Sequence, residues 1–390
     1  MKEKTIYEHL RDKGLSRRDF MKLCGTIAGM MGLEFSPPVK ALGKLAHPTP
    51  AEVVARALTT KPKLPIIWLE FQDCAGCSEA ISRSSSPSLA KLVLNDIAIE
   101  YHETLMAAAG SQAEKAKEEC MEKYRGKYVL VVEGSPTVAD DGIYCVVAGK
   151  SNLDLLKEAT AGAAAVIATG NCASFGGIPG ANPNPTRACG VADLIKDKPV
   201  INIPGCPAIP EVTTGTILYF LIMGELPKTD HLLRPLTFYG HTIHDHCLRR
   251  PFYEAGKFAE SFDDEGARKG YCLYKLGCKG PTTYNACAAL KWEQGLSYPV
   301  QSGHPCLGCS EPHFWDGGGF YQGQSAALIP PESKTTAVAA GVGVAIGAAL
   351  AGVNAAKKGR AKKALTSISA VGPGESGAKP ISQSESKKEG

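Results

Sequence analysis

AAAVIATGNC, residues 163–172, is an apolar run of strand length that ends on glycine and is followed two residues later by cysteine. A run this apolar, without polar alternation, fits a strand buried on both faces, as in parallel sheets covered by helices. Three more stretches repeat the pattern: PIIWLEF at 65–71, KYVLVVEGS at 127–135 and PVINIPG at 199–205. Helical stretches at 111–124 and 152–161 alternate with them. The alternation predicts an α/β fold built on a doubly wound parallel sheet.

Cysteines punctuate this scaffold. Cys74 and Cys77 follow the first run, Cys172 follows AAAVIATG, and Cys206 follows PVINIPG. Open parallel sheets gather their binding residues just past the carboxyl ends of the strands, so four cysteines distant in sequence are expected to converge at one edge. CAGCSEA, TGNCASFGG and IPGCP bring glycine for close backbone approach. Helix N-termini at this edge would favour a negatively charged thiolate group.

Beyond about Pro235 the character changes to short successions of Cys, Gly, His and Pro with few strand-like runs. Such a segment can hardly build an apolar core, and metal binding can supply the missing folding free energy. Six of the chain's 14 cysteines lie here: Cys247, Cys272, Cys278, Cys287, Cys306 and Cys309. The stretch YGHTIHDHCLRR, 239–250, adds His241, His244 and His246. Spacing alone leaves iron-sulfur clusters, zinc and disulfides open. The two C-x-x-C pairs are too far apart for a zinc ribbon, and the surrounding cysteines exceed what a dithiol redox site needs.

At 390 residues the chain has room for two folded units and terminal extensions. A net charge of +4 with 21% charged residues gives no argument for a nucleic-acid partner. SRRDFMKLCGTIAGMMGL, 16–33, has paired arginines before an apolar run too short to span a bilayer. That layout resembles a twin-arginine export signal, with cleavage expected near 41–46. TAVAAGVGVAIGAALAGVNAA, 336–356, is 21 residues without charge. At about 1.5 Å per residue it covers a hydrocarbon core of roughly 30 Å. Its Gly and Ala content also suits a helix packed on protein. Lys357, Lys358, Arg360, Lys362 and Lys363 follow as a cluster expected to stay cytoplasmic. Gly343 and Gly347 have the spacing that lets another membrane helix approach. Beyond Ser367 the polar tail is expected to be disordered.

CAGCSE, TGNCASFGGIPGANPNPT, PGCP, IHDHCLRRPFYEAGKFAE, YCLYKLGCKGP and GHPCLGCSEPHFWD together resemble the small, electron-transferring subunit of nickel-iron hydrogenases over about 64–320. The export signal and C-terminal anchor resemble the membrane-bound members of that family. The resemblance implies a flavodoxin-like sheet domain over 47–235 and a smaller, loop-rich iron-sulfur domain over 236–330. A signal peptide over 1–46, a linker and transmembrane anchor helix over 331–356, and a basic tail over 357–390 complete the expected organisation. It further implies that Cys74, Cys77, Cys172 and Cys206 hold a proximal 4Fe-4S cluster. His244, Cys247, Cys272 and Cys278 would hold a distal 4Fe-4S cluster, and Cys287, Cys306 and Cys309 a medial 3Fe-4S cluster with Pro299 in place of a fourth ligand. His241 and His246 lie off the ligand positions.

Cys24, Cys120, Cys145 and Cys189 fall outside these motifs and read as signal or packing thiols. Oxygen-tolerant relatives carry two extra cysteines where Gly76 and Gly177 stand here, which implies a conventional proximal cluster. Glu79 is either a proton-path residue or a helix-start carboxylate. Arg249, Arg250 and Lys275 are either an attractive exit for an acidic partner or a solvated basic face. Trp292 and Phe314 read as packing around the middle cluster.

No catalytic residue is expected in this chain, because the resemblance places the nickel site in a large-subunit partner. The implied acceptor is membrane quinone, reached through a b-type cytochrome or an iron-sulfur subunit, or else a c-type cytochrome. The implied location is the periplasmic face of the bacterial inner membrane. Competing readings are a stand-alone ferredoxin-like carrier and a zinc- or disulfide-stabilised exported structural protein.

Overall fold

The computed structural model of the chain describes residues 3–31, 49–85, 87–317 and 320–322. Five strands form one sheet: β1 (Leu64–Glu70), β2 (Ile97–His102), β3 (Val129–Glu133), β4 (Ala165–Thr169) and β5 (Val200–Ile203). All neighbours are parallel and the order is β2-β1-β3-β4-β5. This is the flavodoxin-like doubly wound order, whose switch point lies between β1 and β3.

The four apolar runs all became strands, and helix occupies Ser111–Lys123 and Asn152–Ala161 as the periodicity predicts. The edge strand β2 has no such run, because half of IAIEYH is only partly buried. Each central strand is covered on both faces, which is why it reads as continuously apolar. Ile66, Trp68, Val129, Val131, Ile167 and Ile201 face one hydrophobic cluster. Ile67, Leu69, Leu130, Val132, Val166 and Ala168 face the other. Side chains alternate with the two-residue period of a strand.

Three helices precede the sheet: α1 (Ile6–Asp12), α2 (Arg17–Met30) and α3 (Pro50–Thr60). A Thr5–Glu8 capping box starts α1, and the Ser16 side chain accepts the Asp19 N–H at the start of α2. Arg17 and Arg18 are exposed, while Phe20, Cys24, Ile27 and Ala28 are buried in the first cluster. The apolar face of the expected export signal is thus packed on the body. The 41–46 and 336–356 segments lie outside the described residues, among which no helix is long and apolar enough to cross a membrane.

Asp96, just before β2, is 1% exposed and its Oδ1 lacks a hydrogen-bond partner. Burial pushes its carboxyl up to about 7, opposed by Lys63. The folded state therefore binds this proton more tightly than the unfolded chain, so stability falls as pH rises from about 4 toward 7. Asp96→Asn should raise stability by roughly 2–4 kcal/mol at pH 8 and have little effect at pH 3.5, read by urea denaturation at both values.

After 236 the described residues hold no strand of the main sheet. Short helical turns and loops surround a third cluster that includes Ile243, Leu273, Leu276, Tyr298 and Val300.

Candidate iron-sulfur centres

The sheet register builds the first centre. Glu70 pairs with Glu133, Glu133 with Thr169 and Thr169 with Ile203, so the four strands end in one row. The loops carrying Cys74, Cys77, Cys172 and Cys206 leave the carboxyl edge at the same level. Burial pushes the Cys172 thiol up to about 11 and the Cys206 thiol to about 12, with neighbouring thiols adding to both shifts. Cys77 is raised for the same two reasons, with Glu133 contributing.

These thiols resist ionisation, unlike the low-pKa thiol of a dithiol redox site. A cationic centre would compensate their charge, so the donor set fits a metal-sulfur cluster. Close packing supports the fit. A Cβ on Gly170, at φ +83°, would lie 2.6 Å from Cys77 Sγ. One on Gly177, at φ +52°, would lie 2.7 Å from the Cys172 backbone and Sγ, and one on Gly76 would lie 3.0 Å from Cys74 Sγ.

Helix 76–82 starts beside this centre, but its first amides are engaged elsewhere. The N–H groups of Cys77 and Ser78 donate to Glu133 Oε1 at 2.9 and 3.2 Å. A buried carboxylate thus caps the first amides of this helix, which carries Cys77 in its first turn. Glu133 also accepts from the Ser78 hydroxyl at 2.6 Å and the Trp68 indole at 3.1 Å. Ser78 contacts Glu70 and His102 as well. Burial raises the Glu70 carboxyl, pushes Glu103 up to about 7 and lowers His102 to about 4. Carboxylate oxygens of Glu70, Asp73 and Glu133 lie within 4.8 Å of one another. Sequence reasoning missed this network, although Glu70 and Glu133 are acids closing apolar runs. Glu79 is exposed and pairs with Arg83, which also reaches Glu293 at 3.0 Å.

Of the second set, Cys287 and Cys309 line a cavity of about 480 Å³ together with Trp292, Tyr298, Pro299 and Cys206, whereas Cys306 stands outside that lining, beside Cys278. Burial pushes the Cys287 thiol up to about 12 against the pull of a hydrogen bond from Trp292. Cys306 is raised by burial and by the nearby Cys278 and Cys309 thiols. Pro299 stands in this wall, and Phe314 is buried.

The third set lines one cavity: His244, Cys247, Cys272 and Cys278. His244 stands edge-on to Tyr253, ring centroids 4.9 Å apart, and burial with Arg250 lowers its pKa. A neutral imidazole is the form that binds metal. His241 and His246 are exposed and contact each other at 5.1 Å, away from the lining of that cavity.

Arg249 requires a correction. It is 6% exposed, and its guanidinium donates to the carbonyls of Val300 and Tyr271, both at 2.8 Å. It ties three loops together and presents no basic face. Arg250 pairs with Glu254 at 3.0 Å, and Lys275 pairs with Glu260.

Neighbouring sets are joined by main-chain bonds to sulfur. The Cys206 backbone bonds the Cys309 thiol, and Cys306 N–H donates to Cys278 Sγ at 3.3 Å. Asn171 Nδ2 adds bonds to the carbonyls of Cys309 at 2.9 Å and Glu311 at 3.0 Å. Arg234, 2% exposed, braces the same junction through Asp230 at 2.8 Å and Glu311 at 2.9 Å. All 14 cysteines are free of disulfides, and Cys120 is packed in the second hydrophobic cluster.

Residues 239–322 match the C-terminal family of the NiFe/NiFeSe hydrogenase small subunit, and residues 74–220 match the family described as NADH ubiquinone oxidoreductase, 20 Kd subunit. The uptake hydrogenase small subunit of Azotobacter vinelandii is 48% identical over 91% of this chain and 96% of its own length. The hydrogenase-1 small chain of Escherichia coli K12 is 45% identical, covering 90% and 91%. Among solved structures, a chain of the recombinant NiFeSe hydrogenase from Desulfovibrio vulgaris Hildenborough superposes with a TM-score of 0.63 at 39% identity, covering 67% of this chain and 99% of that one. With the strand order, the ligand-bearing edge and these likenesses in agreement, the chain belongs to the small-subunit family of nickel-iron hydrogenases.

Proposed function

We propose that this chain holds three iron-sulfur clusters in series and so connects the nickel-iron site of a large-subunit partner to an acceptor outside the pair. The observation that carries this reading is that His244, Cys247, Cys272 and Cys278, distant in sequence, line one cavity, while Cys206, Cys287 and Cys309 line another. Cys74, Cys77, Cys172 and Cys206 would hold the proximal 4Fe-4S cluster, Cys287, Cys306 and Cys309 the medial 3Fe-4S cluster, and His244, Cys247, Cys272 and Cys278 the distal 4Fe-4S cluster. When bound, such clusters supply one-electron carriers whose potentials follow cluster type, charge and hydrogen bonding to sulfur.

The chain's own residues do the rest. The sheet edge sets the position of the first thiols, of which Cys77, Cys172 and Cys206 are partly buried and Cys74 is exposed. Main-chain bonds fix one set against the next. His244 leaves the distal set one thiolate poorer, and Pro299 offers the medial set no fourth donor.

Residues 1–46 serve as a cleaved twin-arginine signal in this reading, and 336–356 as a single-pass anchor that keeps the body on the periplasmic face. The sheet domain would cover 47–235 and the cluster domain 236–330. A membrane-anchored body suits delivery to quinone through a b-type cytochrome or iron-sulfur subunit, with a c-type cytochrome as the other acceptor. Native purification with metal analysis and a hydrogen-uptake assay tests the core of the proposal. About eleven iron atoms per small subunit are expected, together with a nickel-containing large chain. Markedly less iron in an intact, active preparation would overturn the cluster assignment.

A further inference from the structure

Tyr298 touches two of the three ligand sets. It is 3% exposed and belongs to the third hydrophobic cluster, so its hydroxyl has little water to bond. A buried phenol needs a polar partner. This one donates to Cys247 Sγ at 3.6 Å, in the distal set, while its ring stands in the wall of the medial cavity with Cys287 and Pro299. Other contacts to the distal sulfurs come from backbone amides: Arg249 N–H to Cys247 at 3.4 Å and Cys306 N–H to Cys278 at 3.3 Å. Those amides persist through side-chain substitution. The Tyr298 hydroxyl does not.

We propose that Tyr298 is a positioning residue of the electron relay that sets the redox potential of the distal centre through its hydroxyl bond to Cys247 Sγ. The inference rests on the assignment of Cys247 to that centre. Once Cys247 is a thiolate ligand the bond is charge-assisted, and it strengthens as added electron density collects on sulfur. A donor of this kind favours the reduced state and raises the potential. The ring keeps the hydroxyl aimed, because Tyr298 is packed with Leu273 and Val300.

The test is a reductive titration of the intact heterodimer, followed by electron paramagnetic resonance, for the native protein, Tyr298→Phe and Cys247→Ser. Tyr298→Phe should lower the midpoint of the distal centre by an amount near a tenfold change in its reduction equilibrium, about 59 mV for one electron. The proximal midpoint and the iron content should not move. An unchanged distal midpoint, or an equal shift at every centre, would overturn the proposal. Cys247→Ser separates the two levels of inference. If it alters the distal signal while Tyr298→Phe leaves the potential in place, only the role of Tyr298 fails. If Cys247→Ser leaves that signal untouched, the ligand assignment fails and the tuning role with it. Site-specific replacement of Tyr298 by a ring-fluorinated tyrosine, a stronger donor of nearly the same shape, should move the midpoint upward. It keeps the proposal testable should Tyr298→Phe assemble poorly.

Discussion

Replacing His244 with glycine is expected to slow acceptor-linked hydrogen oxidation by roughly 10- to 100-fold, while hydrogen-deuterium exchange, which reports splitting of the H-H bond, stays near its native rate. The separation follows from where the residue sits. His244 lines the distal cavity with Cys247, Cys272 and Cys278, and nothing in that set belongs to the partner's nickel site. Its imidazole is held by Tyr253 and biased toward the neutral, metal-binding form by burial. On the proposed assignment, removing it opens a ligand position at the outermost set and leaves the inner sets intact. Exchange needs no electron to leave the protein, whereas dye or quinone reduction does. His241→Ala is the matched control, because His241 is exposed and its ring contact is with His246. If the His241 variant were the impaired one, the ligand register assigned to 239–250 would be wrong.

Arg234→Leu should destabilise the described body by about 3–5 kcal/mol, read as a fall in the urea midpoint of unfolding. The guanidinium is almost wholly buried between Asp230 and Glu311, over the rings of Tyr239 at 5.7 Å and Tyr284 at 5.3 Å. Truncation leaves two carboxylates without their shared cation in a poorly hydrated place, which costs far more than losing a surface ion pair. Glu311 also accepts the Tyr284 N–H, so the strain spreads into the loop before Cys287. Replacing Glu311 with Gln in the Arg234→Leu background should recover part of the loss, since it removes one uncompensated charge. A loss below about 1 kcal/mol for the single variant would show that water reaches the junction.

Four of the five strands were legible because burial on both faces writes a continuous apolar run. The edge strand β2 was not, since IAIEYH mixes exposed and buried positions. The ligand candidates were legible from their place after strand ends and from the resemblance of the motifs that carry them. The side chains that condition them were harder to read. Glu133 and Tyr298 belong to none of the ligand-bearing motifs singled out in the sequence, and Arg249 reads there as a surface charge. Their roles depend on contacts across 22 to 65 residues of chain, such as Arg249 to Tyr271, Tyr298 to Cys247 and Trp68 to Glu133. No local pattern encodes such pairings. Arg249 misled for a related reason: a run of two arginines reads as solvated until one of them is found bonding the carbonyls of distant loops.

The sulfur bonds that join neighbouring ligand sets come from peptide N–H groups, which every residue except proline carries. Sequence drift at Cys206's or Cys306's neighbours can therefore leave the gaps between stations unchanged. The adjustable contacts are side chains such as Trp292 and Tyr298. On the proposed assignment, distance along this relay is written in the main chain and potential in the side chains, so the two can be changed independently.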